Sequence, residues 1–441
     1  MPRENGSICQ QINLLALLFI NLNQEVFMQS VDLLMIGSGP SNLAVGVALE
    51  ENESEHNIHS SVILEKDSSV CWHRGMLFPE AQSQVSFLKD LVTQRDPTSK
   101  FSFLNFLHKT NRLESFINLQ TFNPYRKEIS NYLQWVANQL SKTEVIYNSK
   151  VVSVSPEVSG EGKVCAWQVQ TENGQQYVAR RLIFGAGRDL NIPEVFQKIE
   201  KGKVIHSSHF LTSLENLNKT DVRNICVIGG AQSSVEVYQS CIDVFPHATV
   251  TMMMRSIGLV NYEGSQFTNT LFQNDYINTY FDCNPLVREK TLAAMHTTNY
   301  SGVAPATLSG LYRFHYLQEM QAEKRATMLT QCDILHAVDD NNGVLITWKD
   351  NKTGLTHSEH FDLVFLGTGF KNKTPELFKN ISQQFDIEKL HVTRKYRAQI
   401  PCAEGVSLHL QGTNEETHGI ADSLLSVLAF RSKEILDDIT A

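Results

Sequence analysis

The chain has 441 residues, room for two or three domains, and its 42% hydrophobic and 19% charged residues suit a large core. A net charge of −9 with no basic run argues against a nucleic-acid surface that works by neutralising phosphates. Eight scattered cysteines without a C-x-x-C pair argue against a zinc site, a disulfide scaffold or a redox-active disulfide, and suit a reducing, cytoplasmic setting.

Residues 1–27 stand apart as an N-terminal extension, or as the product of a start placed ahead of Met28. Leu14–Ile20 is apolar but too short to span a bilayer, and it lacks the basic flank and cleavage site of a signal peptide. No stable membrane insertion is expected. Next comes Val31–Val45, the stretch on which the chain is organised. Leu33 to Ile36 reads as a buried parallel strand, Gly37 and Gly39 as a tight turn, and Asn42 opens an apolar helical stretch. Such a turn aims backbone N–H groups and a helix N-terminus at a pyrophosphate. Asn42 stands where the pattern usually has its third glycine. A second short strand, Val62–Glu65, ends in an acid placed to accept hydrogen bonds from an adenosine ribose; a solvated strand end is the plainer reading of Glu65.

Residues 81–91 carry Gln82, Gln84 and Lys89 among apolar neighbours. The residues alone leave open a polar-faced surface helix with a solvated Lys89 or a functional stretch. A helix is expected around Ile129–Leu140, strands over Val145–Val154 and Val164–Val169, and a hairpin turn at Asn173-Gly174. Leu182–Gly187 is another strand ending in glycines, where the chain leaves the first domain. Asn224–Glu236 then repeats the strand, glycine turn and helix, with Gly229, Gly230, Gln232 and Ser233 at the turn. Arg255 follows the strand Val250–Met254, where the acid for NAD would stand. An arginine there suits a 2′-phosphate, which favours NADP(H). Leu363–Phe370 reads as a strand returning to the first domain, with Thr368 and Gly369 in its turn. Two dinucleotide units without a cysteine pair point to hydride transfer into a flavin followed by oxygen chemistry, rather than to disulfide reduction.

Trp72–Leu77, Gln84–Thr93, Thr298–Ser301, Gly367–Gly369 and Thr417–Gly419 with Leu424–Ser426 together resemble the N-hydroxylating flavin monooxygenases of siderophore biosynthesis. That family includes L-ornithine and L-lysine N-monooxygenases and histamine relatives, and the resemblance runs in order from about Met28 to the C-terminus. It implies an α/β fold with two Rossmann-like dinucleotide-binding domains and a small helical substrate-binding region. Residues 28–190 would begin the FAD domain. Residues 191–350 would form the NADPH domain, with a substrate-binding insertion at about 258–325, and 351–441 would complete the FAD domain. It further implies that NADPH reduces FAD, that O₂ adds at the flavin C4a carbon, and that a neutral primary amine attacks the resulting hydroperoxide. No catalytic base from the protein is then required. FAD would meet Gly37, Gly39, Asn42, Glu65, Trp72, Gln84, Thr368, Gly369 and Ser426. NADPH would meet Gly229, Gly230, Gln232, Ser233 and Arg255. Lys89, Asn269 and Asn299 would hold the substrate, Lys89 on a carboxylate.

The sequence also departs from the family. Ala231 and Ser234 replace small residues of the second turn, which lowers the expected NADPH affinity. Ser83 and Phe370 replace the usual methionine and tyrosine, and the loop 261–270 keeps Asn269 but loses its usual neighbours. L-ornithine is the favoured substrate, with histamine, lysine or a diamine as alternatives. A different class, an NADPH-dependent flavin reductase or oxidase, stays open. The resemblance implies a homo-oligomer, tetramer or dimer; the residues themselves carry no metal-ligand pattern.

Overall fold

The computed structural model describes residues 28–54, 57–340 and 342–441. The expected extension, 1–27, lies outside the described residues. β1 (Met28–Ile36) runs parallel to β2 (Ser61–Leu64), with α1 (Pro40–Glu50) in the crossover. Along β1, Leu33 and Met35 enter one apolar cluster and Leu34 and Ile36 the cluster on the opposite face. A strand covered on both faces has no polar side, hence the unbroken apolar run. No helix forms between Leu77 and Ser102, so the surface-helix reading of 81–91 does not hold. α2 (Arg126–Ala137) instead begins after Tyr125 and packs under the sheet, and β3 (Glu144–Ile146) joins β2.

β4 (Val151–Val158), β5 (Val164–Thr171) and β6 (Gln176–Phe184) make an antiparallel meander. β6 also lies parallel against β1. The order is therefore β3-β2-β1-β6-β5-β4.

A second sheet follows, built from β7 (Val204–His206), β8 (Asn224–Ile228) and β9 (Thr249–Met253), with α3 (Gln232–Val244) between the last two. A helical excursion is bracketed by the parallel pair β10 (Val260–Asn261) and β11 (Gly302–Val303). It holds α4 (Asn274–Asp282) and α5 (Pro285–Ala294), and α6 (Pro305–Gln318) leads back to β12 (Ala326–Leu329) on β9. β13 (Cys332–Asp340), β14 (Gly343–Asp350) and β15 (Thr356–Phe361) form a separate antiparallel sheet. Its Val344, Ile346 and Trp348 cover Cys226 and Ile228 on one face of the second sheet, while helical residues such as Val235 and Leu311 cover Ile225 and Val227 on the other.

β16 (Leu363–Leu366) corrects the sequence reading. It lies between β8 and β7, giving the parallel order β12-β9-β8-β16-β7. All four of its residues are buried, and a central slot in the second sheet satisfies both its edges and both its faces. The second half thus runs to Leu366 rather than to 350. Only then does the chain return, adding β17 (Ser407–Leu410) to β6 and packing α7 (Leu428–Thr440) against α1. No helix among the described residues is long and apolar enough to cross a membrane.

Candidate functional site

The first glycine turn is braced from three sides. Gly37 N donates to Leu64 O at 2.8 Å, and Gly37 sits at φ 90°, within contact of the exposed strand end at Ala186. α1 starts at Pro40 with Gly39 as its N-cap and no side chain capping it, so its first N–H groups are open to an anion. Asn42 does what a third glycine does not. Its Nδ2 donates to Ile36 O and Gly37 O, both at 2.8 Å, and its Oδ1 accepts from Gln411 Nε2 at 2.9 Å. It therefore ties the turn to the C-terminal segment. Glu65, at the end of β2, accepts from Ser38 N at 2.8 Å, Ser38 Oγ at 2.7 Å and Asp67 N at 2.9 Å. Its carboxylate is already engaged with the turn at the strand end expected to meet a ribose. Trp72 is half-buried against the same apolar cluster as α1. Gln84 is exposed.

The C-terminal segment covers this turn. Arg431 donates to Ser41 Oγ at 2.9 Å and pairs with Asp422 at 3.0 Å, both charges fully buried. Along the same segment Ser426 Oγ, Thr413 Oγ1 and Gln411 Oε1 are buried without a hydrogen-bond partner. Unmet buried polar atoms cost free energy unless water or a ligand reaches them.

The second turn is built the same way. Gly229 N donates to Met253 O at 2.9 Å, and α3 follows Ala231 with no capping side chain. Ser233 lies in its first turn, half-buried, and Gly230 beside it. Ser234, at the third small position of the turn, is fully buried, and its Oγ donates to Gly367 O at 3.2 Å. A Cβ on Gly229 would lie 2.2 Å from that Oγ, so strand and helix meet here at the closest approach a small residue allows. The side chain of Gln232 is turned elsewhere. It donates to Glu236 at 2.9 Å and Thr307 at 3.2 Å and accepts from Ala304 N at 2.8 Å, which leaves only its backbone for a nucleotide. Arg255 stands two residues past the end of β9, exposed and without an acidic partner among the described residues.

Lys89 is half-buried, and burial pushes its ammonium below the usual lysine range. It too has no acidic partner among the described residues. It lines a pocket with Val85, Phe87, Pro124, Tyr132 and Leu425, so it stands near Ser426 although more than 300 residues separate them in sequence. Asn269 ends the short helix Gln266–Asn269, exposed and outside that pocket wall. Asn299 ends the helix His296–Asn299, and its side chain lies outside the described structure. Thr368 and Gly369 lie in the chain returning to the first half. Thr368 Oγ1 donates to Asn191 O at 2.5 Å, and Gly369 O meets His206 Nε2 at 2.9 Å. Sequence spacing gave no sign of Arg188, Asn191 or Glu415, which bind these segments together. Among the described residues no group of side chains is arranged to hold a metal ion.

Residues 29–372 match the family model described as L-lysine 6-monooxygenase/L-ornithine 5-monooxygenase. The chain is 33% identical over 400 residues to the L-ornithine N(5)-monooxygenase of Burkholderia cepacia, covering 88% of this chain and 89% of that protein. It is 32% identical over 412 residues to the Pseudomonas aeruginosa L-ornithine N(5)-monooxygenase, covering 92% of each. Among solved structures, ornithine hydroxylase (PvdA) from Pseudomonas aeruginosa superposes with a TM-score of 0.85 at 31% identity, over 93% of this chain and 99% of that one. The ornithine N-hydroxylase of Kutzneria sp. 744, whose structure carries reduced FAD, NADP⁺ and L-ornithine, matches equally well over the same shares, at 31% identity and a TM-score of 0.85. With two glycine turns at parallel strand ends, a helical insertion and near full-length similarity, this chain belongs to the L-lysine 6-monooxygenase/L-ornithine 5-monooxygenase family.

Proposed function

We propose that this chain is an FAD- and NADPH-dependent monooxygenase of siderophore biosynthesis that N-hydroxylates the side-chain amine of L-ornithine. The observation that carries the substrate is Lys89, a partly desolvated cation without an acidic partner, in a pocket that reaches the Ser426 segment. The pocket's own carboxylate, Asp90, accepts from Val92 N, Thr93 N, Thr93 Oγ1 and Phe103 N and makes no ion pair with Lys89, so an amino-acid carboxylate suits the unpaired cation. Several of the matched proteins, the Burkholderia cepacia, Pseudomonas aeruginosa and Kutzneria enzymes, are named for ornithine, which supports the same substrate.

The residues present fit both cofactors. The uncapped start of α1 and the Gly37–Gly39 turn suit the FAD pyrophosphate, and the unmet Ser426, Thr413 and Gln411 atoms suit the polar edge of a flavin. The uncapped start of α3 suits the second pyrophosphate, and Arg255 a 2′-phosphate. Bound FAD would supply the redox chemistry, in which two electrons from NADPH reduce one atom of O₂ to water and the other atom is inserted at the amine nitrogen. The chain's own task is to bind, orient and dry the amine. An alkyl ammonium has a pKa of about 10.4 in water, and a desolvated pocket favours the neutral form that can react. With Lys89 on the carboxylate, the amine at the far end of ornithine is left free of any ion pair.

Histamine is the second reading, because Asn269 is exposed away from the Lys89 pocket and the loop around it departs from the family wording. The test is incubation of purified protein with FAD, NADPH and a panel of ornithine, lysine, histamine, putrescine and cadaverine, with hydroxylamine measured by mass spectrometry. NADPH consumption without any amine-dependent product would instead mark a flavin reductase or oxidase. The same reading takes the enzyme as a cytoplasmic dimer or tetramer. Sedimentation decides the oligomer, and the seven described cysteines, all free, suit the compartment.

A further inference from the structure

Two linkers join the halves of the molecule, one leaving β6 and one leaving β16, and they run antiparallel beside each other. Leu190 and Phe370 form an antiparallel bridge, Lys371 N donates to Asp189 O at 2.8 Å, and Asn191 N donates to Gly369 O at 3.0 Å. One buried carboxylate gathers both linkers. Glu415 Oε1 accepts from Arg188 Nη1 of the first linker at 2.9 Å, and Oε2 from Asn372 Nδ2 of the second at 3.0 Å. Ser423 Oγ donates to Oε1 at 3.2 Å and also meets Tyr300 OH at 3.0 Å. The Arg188 guanidinium lies 5.4 Å from the Tyr300 ring centroid and 5.8 Å from that of Phe370. The side chains of Arg188 and Glu415 are 14% and 5% exposed. Burial pushes the Glu415 carboxyl up, and Arg188 is the charge that opposes this.

We propose that Arg188 is a positioning residue: locked on Glu415 and set against the Tyr300 ring, it holds the Thr298–Ser301 segment to the paired linkers. The placement of the two dinucleotide halves and that of the amine pocket then change together. This rests on the reading above that the segment bearing Asn299 borders the amine. Arg188 is suited to the task because a planar guanidinium can hold a carboxylate and stack on an aromatic face at once, which a lysine ammonium cannot. Its loss leaves Glu415 with two neutral donors and Tyr300 without its cation, while the start of α3 keeps its own contacts through Gln232 and Glu236.

The test uses full-length, FAD-loaded protein as wild type, R188Q, R188K and S423A. Three quantities are read: hydroxylamine formed per NADPH oxidised, KM for ornithine, and amide hydrogen exchange over residues 296–303. R188Q should lower the product ratio by about tenfold, since a small misplacement of a reacting group has effects of that size or more. It should also raise KM and speed exchange over 296–303, with exchange in β8 and β9 unaltered. R188K should fall between R188Q and wild type, and S423A should shift all three readouts less, in the same direction. Wild-type exchange over 296–303 in R188Q overturns the proposal, whatever turnover does. If R188Q does not fold, S423A, which removes one hydroxyl, decides by the same exchange measurement. If wild type makes no hydroxylamine from any amine, the proposed function fails, and the exchange measurement still decides the role of Arg188.

Discussion

Gly37 and Gly39 sit two residues apart in one turn, yet substituting them should produce different failures. At Gly37 a Cβ would lie 2.8 Å from Ala186 Cα and 3.0 Å from Ala186 Cβ, and the residue sits at φ 90°. Placing alanine in the left-handed region costs about 1–2 kcal/mol. Forcing a methyl against backbone adds about 1–3 kcal/mol of overpacking. Gly37→Ala should therefore lose about 2–5 kcal/mol of stability, a fall in Tm of roughly 5–15 °C. Gly39 is different. Its φ is −67°, and its Cβ would meet nothing closer than Gly185 O at 3.4 Å. Gly39→Ala should change stability by no more than about 0.5 kcal/mol. Its methyl, however, would stand at the helix start where the pyrophosphate must approach. The assay is thermal unfolding of FAD-free protein together with an FAD titration followed by flavin fluorescence. The expected pattern is a destabilised Gly37→Ala, and a Gly39→Ala that is stable but binds FAD poorly. Equal destabilisation of the two, or wild-type FAD affinity in Gly39→Ala, would refute this division of labour.

Lys89→Ala should raise the KM for ornithine by about 30-fold, equivalent to about 2 kcal/mol; half exposure places the loss at the low end of the range for a broken charge pair. With histamine as substrate the same variant should shift the pH–rate profile upward instead, since a nearby cation favours a neutral amine. Steady-state kinetics on both amines separates these cases, and equal kinetics on every amine would make Lys89 a surface residue. Arg255→Ala should raise the KM for NADPH by about 10–100-fold, the scale of a lost charge-assisted contact, and leave NADH little changed. Equal effects on the two nucleotides would sink the 2′-phosphate assignment. His206, His409 and His418 are buried, and burial pushes each imidazole below its ordinary value of 6.5. Below that pH the unfolded chain takes up protons that the folded chain refuses, so these groups should cost stability as pH falls from 6.5. The contact of His409 with Asp438 at 2.9 Å opposes part of that shift. Tm measured from pH 8 to 5 should therefore fall on the acid side, and less steeply in His418→Gln; a flat Tm would count against the burial argument.

Both strand–turn–helix units could be read from the chain because their signal is local. A run such as Leu33–Ile36 followed by glycines carries its environment in its own composition. β16 marks the limit of a local signal. Leu363–Leu366 announces a buried strand, but nothing local says which of two parallel sheets supplies its neighbours. Lys89 could be named from the resemblance, whereas its half-burial beside Leu425 could not, because the pocket is assembled from distant segments. Arg188 and Glu415 lie 227 residues apart and belong to no spacing pattern.

Gln232 shows how a motif can fix a residue's place without fixing what its side chain does. Its position at the start of α3 suits contact with a nucleotide, and its backbone stays available for that. In the fold its side chain binds Glu236, Thr307 and the Ala304 N–H, so it carries the insertion. Glu236 in turn receives both Nη atoms of Arg126, at the start of α2, at 2.8 Å each. Both partners of that ion pair are nearly buried, at 13% and 11% exposure, which makes loss of either one costly. The first turns of α3 are thus fixed at once to the first half, through Arg126, and to the insertion, through Gln232. The first N–H groups of α3 meet no capping side chain, which leaves them open to an anionic cofactor.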